Sequence, residues 1–192
     1  WLLTQKAYNV VDFDDLIILP IKIFEKKPEI LLNVQLRWRY IMVDEFQDTS
    51  LLQYKLVSMI ASKYRNIAVV GDDDQSIYSW RGANYQNIKK KKKDFPERKE
   101  YRLERNYRSS GNILSAANAL IIHNKERKDK KLWTESGDGA SISIKRHTTG
   151  EEEAMWIATE IRKLMRENHY CLNDFGVLVR TNSLMNTIET TF

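Results

Sequence analysis

One cysteine, Cys171, stands in a chain of 192 residues. A lone thiol excludes an intrachain disulfide and fits a reducing cytoplasm. No apolar run approaches the ~20 residues that a membrane-spanning helix requires. No signal peptide is visible in the sequence as it stands. The seven glycines never fall into the G-x-x-x-x-G-K-[ST] pattern, so no loop here is built to cradle nucleotide phosphates on backbone N–H groups. Neither sign of charge dominates: 31 basic residues are interspersed with 26 acidic ones, leaving +5 and a pI near 9.2. That balance permits contact with phosphates without demanding it. His123, His147 and His169 have no metal-ligand spacing.

Apolar residues make up 42% of the chain, enough for one domain or two small ones. Residues 1 to about 37 read as mainly helical, with Pro20 and Pro28 breaking the segments. Asp12, Asp14 and Asp15 read as helix caps. From Arg39 to Arg81 the pattern is strand, helix, strand, loop. Its helix, about Ser50 to Lys63, puts Leu52, Leu56, Met59 and Ile60 on one face. A helix from Ile88 to Phe95 carries Lys89 to Lys93, which splay around its circumference and read as a solvated face. Further strands are expected at Glu100 to Leu103, Ile142 to Arg146 and Phe175 to Val179. Helices are expected from Ser110 to His123, from Glu151 onward, and from Ser183 to Phe192. The first aligns Ile113, Leu114, Ala117, Leu120 and Ile121, with Ser109 or Ser110 as N-cap. The second aligns Ala154, Ile157, Ala158, Ile161, Leu164 and Met165, and its first-turn glutamates suit the helix dipole. Strands alternating with helices imply an α/β fold with a parallel-type sheet.

The chemistry concentrates where strands end. Tyr40-Ile41-Met42-Val43 runs straight into Asp44-Glu45-Phe46-Gln47-Asp48-Thr49. Four successive apolar residues read as a strand buried on both faces, and ligands of open α/β sheets bind just beyond the carboxyl ends of strands. One carboxylate there can hold a nucleotide's Mg²⁺ while the other polarises the attacking water; the same pair, or Asp48, could instead cap the next helix. A second strand, Asn66 to Val70, runs into Gly71-Asp72-Asp73-Asp74-Gln75-Ser76-Ile77-Tyr78-Ser79-Trp80-Arg81-Gly82-Ala83. Three consecutive aspartates cannot easily converge on one ion. Tyr78 and Trp80 flank one small residue and on an extended backbone face the same side. Later comes Leu103-Glu104-Arg105-Asn106-Tyr107-Arg108-Ser109-Ser110.

Together these strings resemble motifs II, III and IV of the UvrD/PcrA/Rep group of superfamily 1 DNA helicases, in order and in spacing. Asp12-Phe13-Asp14-Asp15-Leu16, Leu132-Trp133-Thr134 and Val179-Arg180-Thr181-Asn182 extend the resemblance to nearly the whole chain. It implies part of a first RecA-like ATPase domain over residues 1–100 and part of a second over 101–192, with ATP and Mg²⁺ as cofactors. It gives Asp44 to the Mg²⁺ shell and Glu45 to activation of water. Gln75 would read the γ-phosphate, its amide able both to donate and to accept. Tyr78 and Trp80 would stack on bases of single-stranded DNA, and Arg81 would link that loop to the nucleotide site. Tyr107 would stack on adenine, and Arg108 would reach the γ-phosphate from the second domain. Arg105 stands where an uncharged glutamine is common in the family and adds charge near the cleft. Gln47 and Asp48 complete their string with no clear role, and Trp133 reads as core.

The sequence opens at Trp1, holds no phosphate loop and stops inside an expected helix, so it reads as an excised piece of a longer cytoplasmic protein. The expected parent is an ATP-dependent DNA helicase that translocates 3′ to 5′ on single strands. It would unwind duplex/single-strand junctions in repair or replication, while the piece alone would be inactive. One rival is a helicase-like subunit of a RecB/AddA-type helicase-nuclease. Another is a non-catalytic DNA-binding module on a helicase fold, against which the intact Asp44, Glu45, Gln75 and Arg108 weigh.

Overall fold

A computed structural model describes residues 2–78, 80, 82–84, 86–124 and 130–192. The chain divides into two compact units, Trp1–Gly139 and Ala140–Phe192.

In the first unit, α1 (Leu2–Tyr8), α2 (Asp15–Lys26) and α3 (Pro28–Arg37) precede the sheet. Two aspartates start α2 reciprocally. The Asp15 N–H donates to Asp12 Oδ1 at 3.0 Å, and the Asp12 N–H donates to Asp15 Oδ2 at 3.3 Å. Gln5 of α1 ties down both carboxylates, at 3.0 and 3.1 Å. Pro28 opens α3, where its missing N–H costs nothing. Pro20, expected to break a helix, instead lies inside α2. The burial of Ile21 and Phe24, just after it, anchors that helix through the one lost hydrogen bond. Helices α2 and α3 pack on one another and on α4 (Leu51–Ala61). Gln35 of α3 is buried and donates to the Met59 carbonyl at 2.8 Å and to Ser62 Oγ at 3.0 Å, pinning α3 to the end of α4.

Strand β1 (Ile41–Val43) pairs in parallel with β2 (Ile67–Val69), Ile41 opposite Ile67 and Val43 opposite Val69. Burial on both faces does not hold for β1: Ile41 and Val43 are half-buried, whereas Met42 is 80% exposed. Among the described residues nothing covers the Met42 face. The core of α4 also differs from the expected stripe. Tyr54 and Ala61 are buried, Leu56, Met59 and Ile60 are half-buried, and Leu52 is exposed, because Leu52 lies two positions from Tyr54, on the other side of the helix.

Beyond β2 come α5 (Gln86–Asp94) and α6 (Gly111–Ile121). Ser110 holds the N-cap position of α6, but its side chain caps nothing. Of the five apolar residues aligned on α6, Leu114 alone is buried, while Ile113 and Leu120 are exposed. The second unit holds α7 (Gly150–Asn168) packed on α8 (Met185–Thr191). Thr149 caps α7 by accepting the Glu152 N–H at 3.2 Å. Glu152 Oε2 accepts in turn from the Thr148 N–H at 3.0 Å. Ala154 and Ala158 are buried and Ile157, Ile161, Leu164 and Met165 half-buried, as the 3–4 spacing predicts.

The three later strands are absent from the described residues: 100–103, 142–146 and 175–179 form no strand ladder. Strand structure is a property of pairs, since each N–H and C=O needs a partner across the ladder. Several apolar side chains of these segments lie open, Tyr101 at 81%, Ile144 at 91% and Leu178 at 94% exposed, while Phe175, Val177 and Val179 are half-buried. Among the described residues no helix is long and apolar enough to cross a membrane.

Candidate functional site

The carboxyl end of β1 is shaped by one unusual residue. Glu45 has φ 48° and ψ 43°, the left-handed region, which costs a non-glycine residue roughly 1–2 kcal/mol. This turn lets the ladder resume after it: the Phe46 N–H donates to the Val70 carbonyl at 2.9 Å, following Val70 N–H to Val43 carbonyl at 2.8 Å. Asp44 and Glu45 are thereby set side by side at the strand end, both exposed. The Glu45 N–H donates to Asp44 Oδ1 at 2.9 Å.

Gln47, which the sequence left in its string without a role, organises this edge. It is 2% exposed. Its Nε2 donates to Glu45 Oε2 at 2.7 Å and to Asp48 Oδ2 at 3.4 Å. Its Oε1 accepts the Asp72 N–H at 3.0 Å, so one amide joins the ends of β1 and β2. Gly71 makes room for it: a Cβ there would stand 2.7 Å from Gln47 Oε1 and 3.2 Å from the Phe46 nitrogen.

The aspartate-rich loop after β2 is a closed turn rather than an ion cage. Asp72 caps it, accepting the Asp74 N–H at 3.0 Å and the Gln75 Nε2 at 2.9 Å. Lys130 bonds Asp72 and lies 3.4 Å from Asp74. Burial on its own would raise the Asp72 carboxyl. Hydrogen bonds from Lys130, Gln75 and the Asp74 N–H, with the Lys130 charge, outweigh it and hold the group below the usual carboxylate range. Among the described residues no group of three or more His, Cys, Asp or Glu could hold a metal.

The segment beyond this loop is stitched back to the first. Ser50 and Ala83 form an antiparallel bridge, and the Asn84 N–H donates to the Thr49 carbonyl at 3.1 Å. Asn87 of α5 is fully buried; its Nδ2 donates to the Thr49 and Ser50 carbonyls at 2.8 and 3.1 Å. Asp48 does not cap α4. Ser50 does, in a reciprocal box with Gln53 at 3.2 and 2.8 Å. Phe46 and Tyr54 meet edge to face at 5.9 Å, and the Tyr54 hydroxyl donates to Asp94 at 2.7 Å. In the lysine run Lys90 and Lys93 are exposed and Lys91 and Lys92 half-buried. Lys90 lies 5.4 Å over the Tyr54 ring, Lys91 5.9 Å over Phe46, and Lys92 3.7 Å from Glu100.

Tyr78 and Trp80 come together, ring centroids 6.3 Å apart and tilted by 50°. Trp80 is 71% exposed, so it is not a core residue here. Arg81 lies outside the described residues.

The third string forms a tight turn. Asn106 Oδ1 accepts the Arg108 N–H at 2.9 Å and the Ser109 N–H at 2.7 Å. This displays the Tyr107 and Arg108 side chains, both exposed. Arg105 lies between two rings, 4.8 Å from Tyr107 and 5.5 Å from Trp133, and is bonded to Glu135. Trp133, read as core, is 47% exposed. It serves as a platform for Arg105 because backbone bonds Asn106 N–H to Trp133 carbonyl (2.7 Å) and Trp133 N–H to Glu104 carbonyl (3.0 Å) hold the two segments together.

The donor set at the end of β1 fits Mg²⁺, a hard cation that takes one or two carboxylates and keeps its remaining positions for water and phosphate oxygens. Asp48 Oδ1, on the same edge, is buried with no hydrogen-bond partner among the described residues.

Residues 3–96 match the family model of the UvrD/REP helicase N-terminal domain, and residues 101–192 that of the UvrD-like helicase C-terminal domain. Over 184 residues the chain is 50% identical to the ATP-dependent DNA helicase PcrA of Leuconostoc citreum, covering 96% of this chain and 25% of that protein. The ATP-dependent DNA helicases PcrA of Staphylococcus aureus and Staphylococcus epidermidis are 48% and 47% identical over the same length. The chain thus spans 25% of the length of these relatives.

Proposed function

This chain belongs to the UvrD/REP helicase family, and from that premise we propose that it is part of a longer ATP-dependent DNA helicase. Its α/β fold is then divided between two RecA-like domains, residues 1–100 and 101–192, with the nucleotide between them. The parent moves 3′ to 5′ on single-stranded DNA in the cytoplasm, a direction that rests on family likeness, and opens duplex junctions during repair or replication.

Asp44 would hold Mg²⁺, which when bound would supply charge neutralisation to the nucleotide phosphates. Glu45 accepts the proton of the attacking water. Gln75 senses the γ-phosphate through its amide. Tyr107 stacks on adenine, and Arg108 offers forked donors to the γ-phosphate. Tyr78, Trp80 and Arg81 meet the single strand. Stacking on two rings tolerates any base, as a motor that reads no sequence needs. The observation that carries this reading is the left-handed turn at Glu45. It is backbone strain of the kind that clusters at working sites, and it falls on the residue assigned to the water.

The test is Glu45→Gln in the full-length parent. Nucleotide affinity should stay near parental while turnover falls roughly 10²- to 10⁴-fold, the range for loss of a general base. Turnover at the parental rate would sink the assignment. The chain by itself, without a phosphate loop, should hydrolyse no ATP, because positioning and charge neutralisation do most of the work in phosphoryl transfer.

A further inference from the structure

We infer that Gln47 is a positioning residue that sets the Glu45 carboxylate and ties it to the loop carrying Gln75. The inference rests on the proposed role of Glu45 and goes beyond it.

Three observations converge. First, the Gln47 amide is buried, 2% exposed, in a region where Asp44, Glu45 and Gln75 are all exposed. A buried amide must have its donors and acceptor satisfied, and this one spends them on the site. Nε2 donates to Glu45 Oε2 at 2.7 Å and Oε1 accepts the Asp72 N–H at 3.0 Å. Second, the choice of residue type is specific. Only a side chain that donates at one end and accepts at the other can bridge a carboxylate and a backbone N–H. A glutamate would accept from Asp72 but repel Glu45. Third, the amide uses the space that Gly71 leaves: a Cβ there would stand 2.7 Å from Oε1 and 3.2 and 3.3 Å from the Phe46 and Gln47 nitrogens, so a larger residue at position 71 would displace the amide.

Asp72 is also the residue that caps the next turn and holds Gln75, whose Nε2 donates to Asp72 Oδ2 at 2.9 Å. A continuous chain of hydrogen bonds runs from the Glu45 carboxylate through Gln47 and Asp72 to Gln75. Its ends are the groups assigned to the attacking water and to the γ-phosphate. Gln47 touches neither, so its effect is on geometry. Displacing Glu45 lowers the chemical step and leaves nucleotide binding, which other groups supply.

Two variants of similar length separate the two halves of the bridge in the full-length parent. Gln47→Met removes both bonds, and Gln47→Glu keeps the acceptor for the Asp72 N–H and loses the donor to Glu45. Single-turnover hydrolysis, equilibrium binding of ATP, and hydrogen exchange of the peptide containing Asp72 are measured side by side. Both variants should lower the hydrolysis rate by roughly 10²-fold, the cost of misplacing a catalytic group by about 1 Å, with ATP affinity nearly unchanged. Gln47→Met should speed exchange at Asp72, while Gln47→Glu should leave it slow. Gly71→Ala should mimic Gln47→Met by pushing the amide out of place.

Hydrolysis at the parental rate in Gln47→Glu would overturn the inference. So would a parallel loss of ATP affinity, hydrolysis and exchange protection in both variants, which a merely structural glutamine would show. Glu45→Gln run alongside distinguishes the two levels: if it hydrolyses normally, the proposed function falls rather than the bridge.

Discussion

The stretch from Asp44 to Asn87 and the turn from Glu104 to Ser109 both carry residues assigned to one nucleotide, yet they are held in opposite ways. In the first, two strand ends, a helix cap and a following helix are cross-tied by buried amides, Gln47 and Asn87, acting on backbone far away in sequence. In the second, backbone bonds to Trp133 tie the start of the turn, local bonds to Asn106 Oδ1 shape the rest, and the Tyr107 and Arg108 side chains are exposed on it. The first half is preorganised, so its groups lose little freedom when a ligand arrives. The second displays long side chains that must be ordered by what they meet, which suits groups that engage only when a cleft closes.

Arg108 offers the largest way to break this comparison. Arg108→Ala in the parent should slow single-turnover hydrolysis by about 10³- to 10⁵-fold, as for arginine fingers elsewhere, and Arg108→Lys should restore little. Folding stability should hardly move, because the side chain is exposed. A variant that melts early but hydrolyses normally would show Arg108 to be structural.

Asn87 probes the opposite half. Asn87→Ala leaves the Thr49 and Ser50 carbonyls short of a buried donor, at a cost of about 2–4 kcal/mol summed over the lost bonds. Urea denaturation of this chain should show the loss, with hydrolysis in the parent falling through unfolding alone. Unchanged stability would mean that the region is not as tightly tied as its bonds imply.

Trp80 lies within the tied stretch yet is exposed, so it separates scaffold from contact surface. Trp80→Ala should weaken binding of single-stranded DNA by roughly 1–3 kcal/mol and leave basal hydrolysis without DNA nearly intact. Equal loss of both, with a changed circular dichroism spectrum, would assign the ring to packing.

Tyr54 gives the smallest effect and a pH signature. Burial first, then the hydrogen bond to Asp94, pushes its hydroxyl up to about 12. In the unfolded chain it titrates near the usual ~10. The folded state thus favours the protonated form. Its contribution is fully present below about pH 10 and is lost as pH rises toward 12. Tyr54→Phe should cost about 1 kcal/mol at neutral pH and flatten the alkaline limb of a stability profile. An unchanged limb would point to another group.

The particular elements show where reading the sequence succeeds. β1, β2, α4 and α7 were legible because each carries its own period or boundary signal: Asp44-Glu45 ends one apolar run, Gly71 the other, and the first-turn glutamates open the α7 stripe. The strings around Asp44, Gln75 and Tyr107 were legible because residue type and order are themselves the signal. Pro20 was misread because burial of Ile21 and Phe24 holds α2 together across it. The strands at 100–103, 142–146 and 175–179 were misread because apolar alternation states a propensity, while a ladder needs a neighbour.

Local chemistry in the sequence alone therefore determined the family, the α/β pattern and the residue types at the site. Tertiary structure alone decided that Glu45 sits in a left-handed turn, that Gln47 bridges it to Asp72 across 25 positions, and that Asn87 locks the segment from behind. It also decided that Lys130 pairs with Asp72 in the aspartate loop from 58 positions away. Such partners are chosen by distance in space, and a single hydrogen bond between residues far apart leaves no periodicity in the chain by which it could be read.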